Sequence, residues 1–165
     1  SKPLADKYGK RNIFGVFLLI STVFIILFNF FKTTDIELMF MSQILHGFFY
    51  GITIPLLWAM IDVADYSEWK NNRRATAIIF SAMMVGLKLG LTIGSSLITI
   101  ILDFYGYLAN SEMGQTLEAI KGIKLLVSIY PAIPFLIGAG LLFFYEINKE
   151  METQIELELM QRRDN

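Results

Sequence analysis

Four long apolar runs succeed one another along the chain, at residues 13–31, 38–61, 75–102 and 125–145, separated by polar segments. Crossing a hydrocarbon core of about 30 Å takes about 20 predominantly apolar residues in a helix, and each run supplies them. Strands of a membrane barrel would alternate polar and apolar residues, and these runs are continuous. The first, second and fourth carry no charge, and the third carries one, Lys88. The pattern predicts an all-α, polytopic bundle of four transmembrane helices, preceded by a loop at 1–12 and followed by a tail at 146–165.

Composition agrees: 55% of residues are hydrophobic and 18% charged, against roughly a quarter charged in a soluble domain. The net charge of -1 offers no basic surface to nucleic acid. With no Cys and a single His, His46, neither a thiolate nor a histidine-rich metal site can be built. No carboxylate pair lies within the apolar runs either, so acid-base catalysis has no candidates and the chain does not read as an enzyme. The opening Ser1-Lys2-Pro3-Leu4 has neither an initiator Met nor the form of a signal peptide, which suggests a sequence cut from a longer one.

Basic residues set the expected orientation, since short cytoplasmic loops are enriched in Lys and Arg. Ten fall on one side: Lys2, Lys7, Lys10 and Arg11 before the first span, Lys70, Arg73 and Arg74 between the second and third, and Lys149, Arg162 and Arg163 after the fourth. Three fall on the other, Lys32, Lys121 and Lys124. Both ends and the central loop are therefore expected in the cytoplasm.

Lys88 lies about thirteen residues from either end of its run, some 20 Å at 1.5 Å per residue, too deep for its side chain to reach water along the helix. On a helical wheel Ser81, Lys88, Thr92, Ser95 and Thr99 fall within about 60° of one another. Gly86, Gly90 and Gly94 make a second stripe on the far side, suited to close helix packing. The second span repeats the polar pattern with Gln43, His46, Tyr50 and Thr53, groups able to hydrogen-bond a hydroxyl-rich ligand. At its end Asp62, Asp65 and Glu68 stand where helix carbonyls already make the potential negative, an arrangement that becomes sensible if cations approach. Pro131 and Pro134 should bend the fourth span. The tail has an apolar row, Met151, Ile155 and Leu159, and reads as a short amphipathic helix.

The stretch Trp58-Ala59-Met60-Ile61-Asp62-Val63-Ala64-Asp65-Tyr66-Ser67-Glu68-Trp69-Lys70, followed by Arg73-Arg74 and Gly86-Leu87-Lys88-Leu89-Gly90, resembles the glycoside-pentoside-hexuronide:cation symporters, relatives of the melibiose permease within the major facilitator fold. Ala5-Asp6-Lys7-Tyr8-Gly9-Lys10-Arg11 is similar to the short basic loop before the ninth span of such carriers. The resemblance implies that the four spans are spans nine to twelve of a twelve-helix secondary transporter that moves a sugar with Na+ or H+ by alternating access. It places Lys88 in the sugar and cation-coupling region, with Tyr50, Thr53, Met83, Met84, Leu87 and Thr92 beside it. Asp62, Asp65, Tyr66 and Arg74 fall on the cytoplasmic gating motif. Asn71-Asn72 replaces the Thr-Gly common in that loop. The family's cation carboxylates come from the N-terminal half, so the implied partners are eight further helices, the sugar and membrane lipid, with no resident cofactor and no metal site in this chain. A bacterial inner membrane is the implied location. The competing reading is a self-contained four-helix accessory or structural membrane protein without transport activity.

Overall fold

The computed structural model describes residues 2–59, 62–110 and 114–164, and among them every regular element is a helix. Eight α-helices follow in order: α1 (Lys2–Tyr8), α2 (Lys10–Leu27), α3 (Ile36–Ala59), α4 (Asp62–Asn71), α5 (Thr76–Phe104), α6 (Leu117–Leu126), α7 (Ile129–Leu141) and α8 (Lys149–Asp164). Short 3-10 turns at Phe28–Phe30 and Leu142–Phe144 finish α2 and α7. Four stretches are long and apolar enough to cross a membrane, Lys10–Phe30, Ile36–Asn71, Thr76–Phe104 and Leu117–Phe144. The expected end of the second span at 60–61 lies outside the described residues.

The centre of the bundle is α2, which packs against α3 on one side and α7 on another. Phe49 of α3 stacks on Phe17 and Phe24 of α2, with ring centroids 5.9 and 5.6 Å apart. Small hydroxyl residues occupy the tightest places: Ser21, Thr22 and Ser128 are almost fully buried. Small side chains allow helices to approach in a medium where apolar area alone gives no driving force, and their hydroxyls find carbonyls. Thr22 donates to Leu18 O at 2.7 Å and Ser42 to Phe24 O at 2.5 Å. Gly9 turns the chain from α1 into α2 at φ 84°, with Lys149 packed against it.

The fourth crossing differs from the single bent helix expected at 125–145. It begins at Leu117, where Thr116 caps the helix by accepting a hydrogen bond from Ala119 N. It then breaks at Val127 and Ser128 before resuming as α7. Pro131 supplies the reason, because it has no N–H for the Val127 carbonyl four residues earlier and its ring clashes with that carbonyl. Lys121 and Lys124, expected in the preceding loop, consequently lie on α6. The Lys124 ammonium donates to Phe31 O at 2.5 Å, tying the start of the fourth crossing to the end of the first.

Tyr105, just after α5, packs its ring on the backbone of Gly122 in α6, and a Cβ added there would lie 2.5 Å from Tyr105 Cγ. Gly122→Ala is therefore expected to destabilise the protein by about 1–3 kcal/mol, the usual cost of overpacking a filled contact. A lowered melting temperature in detergent checks it, and Gly140→Ala, where an added Cβ meets nothing within 4 Å, is the control.

The third crossing, α5, stands apart. It packs mainly on α4 and α6, and none of its residues is buried. An added Cβ at Gly86, Gly90 or Gly94 would meet no atom within 4 Å. The glycine stripe expected to pack closely thus has no packing partner among the described residues.

Candidate functional site

At one end of the bundle the ends of three crossings and the tail helix meet in a charged cluster. Lys10, at the start of α2, pairs with Asp62 of α4 and, at 2.6 Å, with Glu152 of α8. Lys149 approaches the same Glu152 at 3.7 Å. Arg74, between α4 and α5, places Nη2 3.2 Å from Asp65 and Nε 3.7 Å from Glu68. The three acids that looked misplaced by charge alone are accounted for by these cations. Lys10, which in the sequence stands out only as part of the basic opening segment, joins the first crossing to the second and to the tail. Tyr66, the remaining member of the motif, accepts from Lys70 Nζ at 3.0 Å and tilts against Trp69.

The tail helix is docked rather than free. Ile155 and Leu159 of the expected apolar row are buried, and Met151 is half-buried. Trp69 Nε1 donates to Glu158 at 2.6 Å, and Arg162 donates to Trp69 O at 3.2 Å and to Asn72 Oδ1 at 3.1 Å. Asn72 sits at φ 52°, the left-handed region, which explains why glycine is common there in similar loops and why asparagine can replace it. Glu152 and Glu158 lie within about 60° of Ile155 on the helical wheel, one on each flank of the buried row. Acids placed there were the available sign that α8 docks on basic and N–H donors.

Tyr145 and Glu158, near this end, titrate away from their ordinary values. Burial pushes the Tyr145 hydroxyl up to about 12, helped by the negative charge of Asp62. Hydrogen bonds from Gln154 and Trp69 hold the Glu158 carboxyl below its ordinary value of 4.5. A lowered folded value means that the Trp69–Glu158 contact is fully present above pH 4.5 and fades as pH falls through the lowered value. In a Trp58→Phe background, Trp69 emission should therefore shift to the red on acidification below pH 4.5, and Glu158→Gln should remove most of that shift.

Away from this end, the polar residues of α3 and α5 form separate sets. His46 Nδ1 is 2.8 Å from Ser21 Oγ, and its ring stacks on Tyr50 and Phe135 at 5.9 and 6.0 Å. Tyr50 and Phe135 stack on each other at 5.3 Å, an aromatic group across α3 and α7 that the sequence did not reveal. Thr53 is buried and donates to Tyr50 O at 2.6 Å. On α5, Lys88, Met84, Leu87 and Thr92 are exposed and Met83 is half-buried. Thr92 donates to Lys88 O at 2.9 Å, and Ser95 and Ser96 donate to Thr92 O. Among the described residues no ion pair or side-chain hydrogen bond engages the Lys88 ammonium, and no polar or ring contact joins the α3 set to the α5 set.

Four membrane-length apolar helical stretches, hydroxyl-rich packing and charge gathered at one end define an integral, multi-pass membrane protein. The chain belongs to the family described as MFS/sugar transport protein, whose match covers residues 1–149. It is 31% identical over 162 residues to a 29.9 kDa protein from the crtE 3′ region of Pseudescherichia vulneris, covering 98% of this chain and 59% of that one. It is 34% identical to the inner membrane symporter YicJ of Escherichia coli, over 84% of this chain and 30% of the symporter. With the isoprimeverose transporter of Lactiplantibacillus pentosus it shares 30% identity, over 98% of this chain and 34% of the transporter. The chain thus spans about a third of those two transport proteins. No solved structure matches it.

Proposed function

We propose that this chain forms the last four spans of a secondary transporter that carries a glycoside, pentoside or hexuronide with Na+ or H+. The observation that carries the reading is the ion-pair cluster on the motif itself: Arg74 on Asp65 and Lys10 on Asp62. Those pairs link elements whose separation would open one mouth of the bundle, the kind of contact that alternating access makes in one state and breaks in another. Asp62, Asp65, Tyr66 and Arg74 serve as the gate, and Lys10 belongs with them. Lys88, with Tyr50, Thr53, Met83, Met84, Leu87 and Thr92, contributes to the sugar and cation-coupling region, completed by helices of the N-terminal half. The names of the symporter and isoprimeverose transporter relatives support a sugar as cargo. Uptake of radiolabelled glycosides, pentosides and hexuronides into vesicles under imposed Na+ or H+ gradients tests the reading. No uptake of any of them by well-folded full-length protein would reject it.

The gate faces the cytoplasm of a bacterial inner membrane in this reading, as the ten-to-three distribution of Lys and Arg suggests. Asn71→Cys and Glu112→Cys should then differ in intact cells. An impermeant thiol reagent labels position 112 and spares 71, and the reverse pattern would invert the topology.

A further inference from the structure

Beneath the charged end, α2 and α7 leave an open groove of about 240 Å³ between them, floored by Val16, Leu19, Ala139, Leu142 and Phe143. Arg11 and Asn12 stand at its mouth. The basic side chains around it have found acids: Lys10 takes Asp62 and Glu152, Arg74 takes Asp65 and Glu68, and Lys149 takes Glu152. Arg11 pairs with no carboxylate among the described residues. Its guanidinium instead donates to Tyr145 O at 2.8 Å and Phe143 O at 3.5 Å. Those bonds anchor the planar fork over the groove and use only two of its five N–H groups. The aromatic rings of Phe143 and Phe144 beside it are 79% and 82% exposed, as suits the interfacial belt of a membrane.

A fixed cation without an acidic partner, set at the boundary of a membrane span above an apolar groove between two helices, matches one kind of molecule: negative head, apolar tail. We propose that this groove is a binding site for an anionic phospholipid, its phosphate bonded to the free N–H groups of Arg11 and one acyl chain lying along Val16, Leu19 and Ala139. The fork geometry suits a phosphate better than a single ammonium would. The site requires only that the chain spans a membrane, so it stands whether or not the transport reading does.

The test reconstitutes the full-length protein in bilayers containing phosphatidylglycerol or phosphatidylcholine with matched acyl chains, and counts retained lipid after extraction by native mass spectrometry. Phosphatidylglycerol is expected to be retained over phosphatidylcholine by about fivefold, the factor that one basic residue at an anionic surface gives. Arg11→Gln should remove that preference. So should Val16→Trp, which fills the groove from an exposed position and leaves the Arg11 bonds to the Phe143 and Tyr145 carbonyls in place. Lys121→Gln, at an exposed basic residue on α6, should leave it unchanged. Equal retention of the two lipids by wild type overturns the proposal. So does a preference that survives Val16→Trp, the result expected if another helix of the full-length protein covers the groove. If Arg11→Gln fails to fold, Val16→Trp alone decides.

Discussion

Lys88→Ala in the full-length carrier is expected to abolish cation-driven sugar accumulation while leaving insertion and thermal stability close to wild type. The ammonium sits near the middle of α5, at a depth where an unpaired cation costs at least about 3 kcal/mol, so it must meet anionic or polar groups in the working protein. Among the described residues nothing engages it, and α5 buries no side chain here. Removing it deletes no ion pair or side-chain hydrogen bond among the described residues. In the transport reading the groups that hold it are carboxylates of the N-terminal half that also serve the cation, so Lys88 and the cation draw on one pool of negative charge. Loss of the lysine then uncouples sugar movement from the gradient rather than unfolding the helix. Lys88→Arg should rescue poorly, since a planar fork does not replace a compact ammonium. Uptake into vesicles under an imposed gradient, beside a melting curve of the same preparation, makes the measurement. Wild-type accumulation by Lys88→Ala would remove Lys88 from the coupling site, and a collapsed melting curve would mark it as a structural ion-pair member.

Arg74→Ala is expected to slow turnover with little change in sugar affinity. Its guanidinium spans Asp65 and Glu68, but its side chain is 54% exposed and that of Asp65 39%. Exposed pairs of this kind contribute at most about 1 kcal/mol, so the fold should survive their loss. A contact of that size made in only one state still shifts the balance between states by about fivefold, which appears in the rate of cycling and not in the sugar contacts. Lys10→Ala should have the larger effect, because it strands Asp62, whose side chain is 27% exposed, leaves Glu152 with Lys149 alone, and removes the tie between α2 and α8. Equilibrium sugar binding and transport rates on the same preparation separate the outcomes. A loss explained wholly by affinity would contradict a gating role for Arg74.

Much of this molecule could be read from its chain because the informative signals are local. Apolar run length marked four crossings, since lipid demands about 20 residues of helix wherever they occur. The apolar row of the tail predicted the face that α8 buries. The three acids after α3 called for cations, and their own neighbour Arg74 proved to be one of them. Pro131 also held its information locally, but it breaks the fourth crossing at Val127 where a bend was expected, because the steric clash acts four residues upstream.

What the sequence by itself determined is therefore the class: a helical membrane protein, its number of crossings, its side asymmetry and the motif of its charged end. Tertiary structure alone decided who pairs with whom. Lys10 and Asp62 are 52 residues apart, and Trp69 and Glu158 are 89 apart. No periodicity links such positions, because each becomes a neighbour only when α2, α4 and α8 converge on one end of the bundle. The same convergence made the amphipathic tail part of the charged end, and gathered His46, Tyr50 and Phe135 into one stack from helices far apart in the chain. Hydrophobic burial and helix formation act over a few turns and leave their mark on the sequence. Ion pairing and ring stacking act over a few ångströms of space, and only the fold states which residues share them.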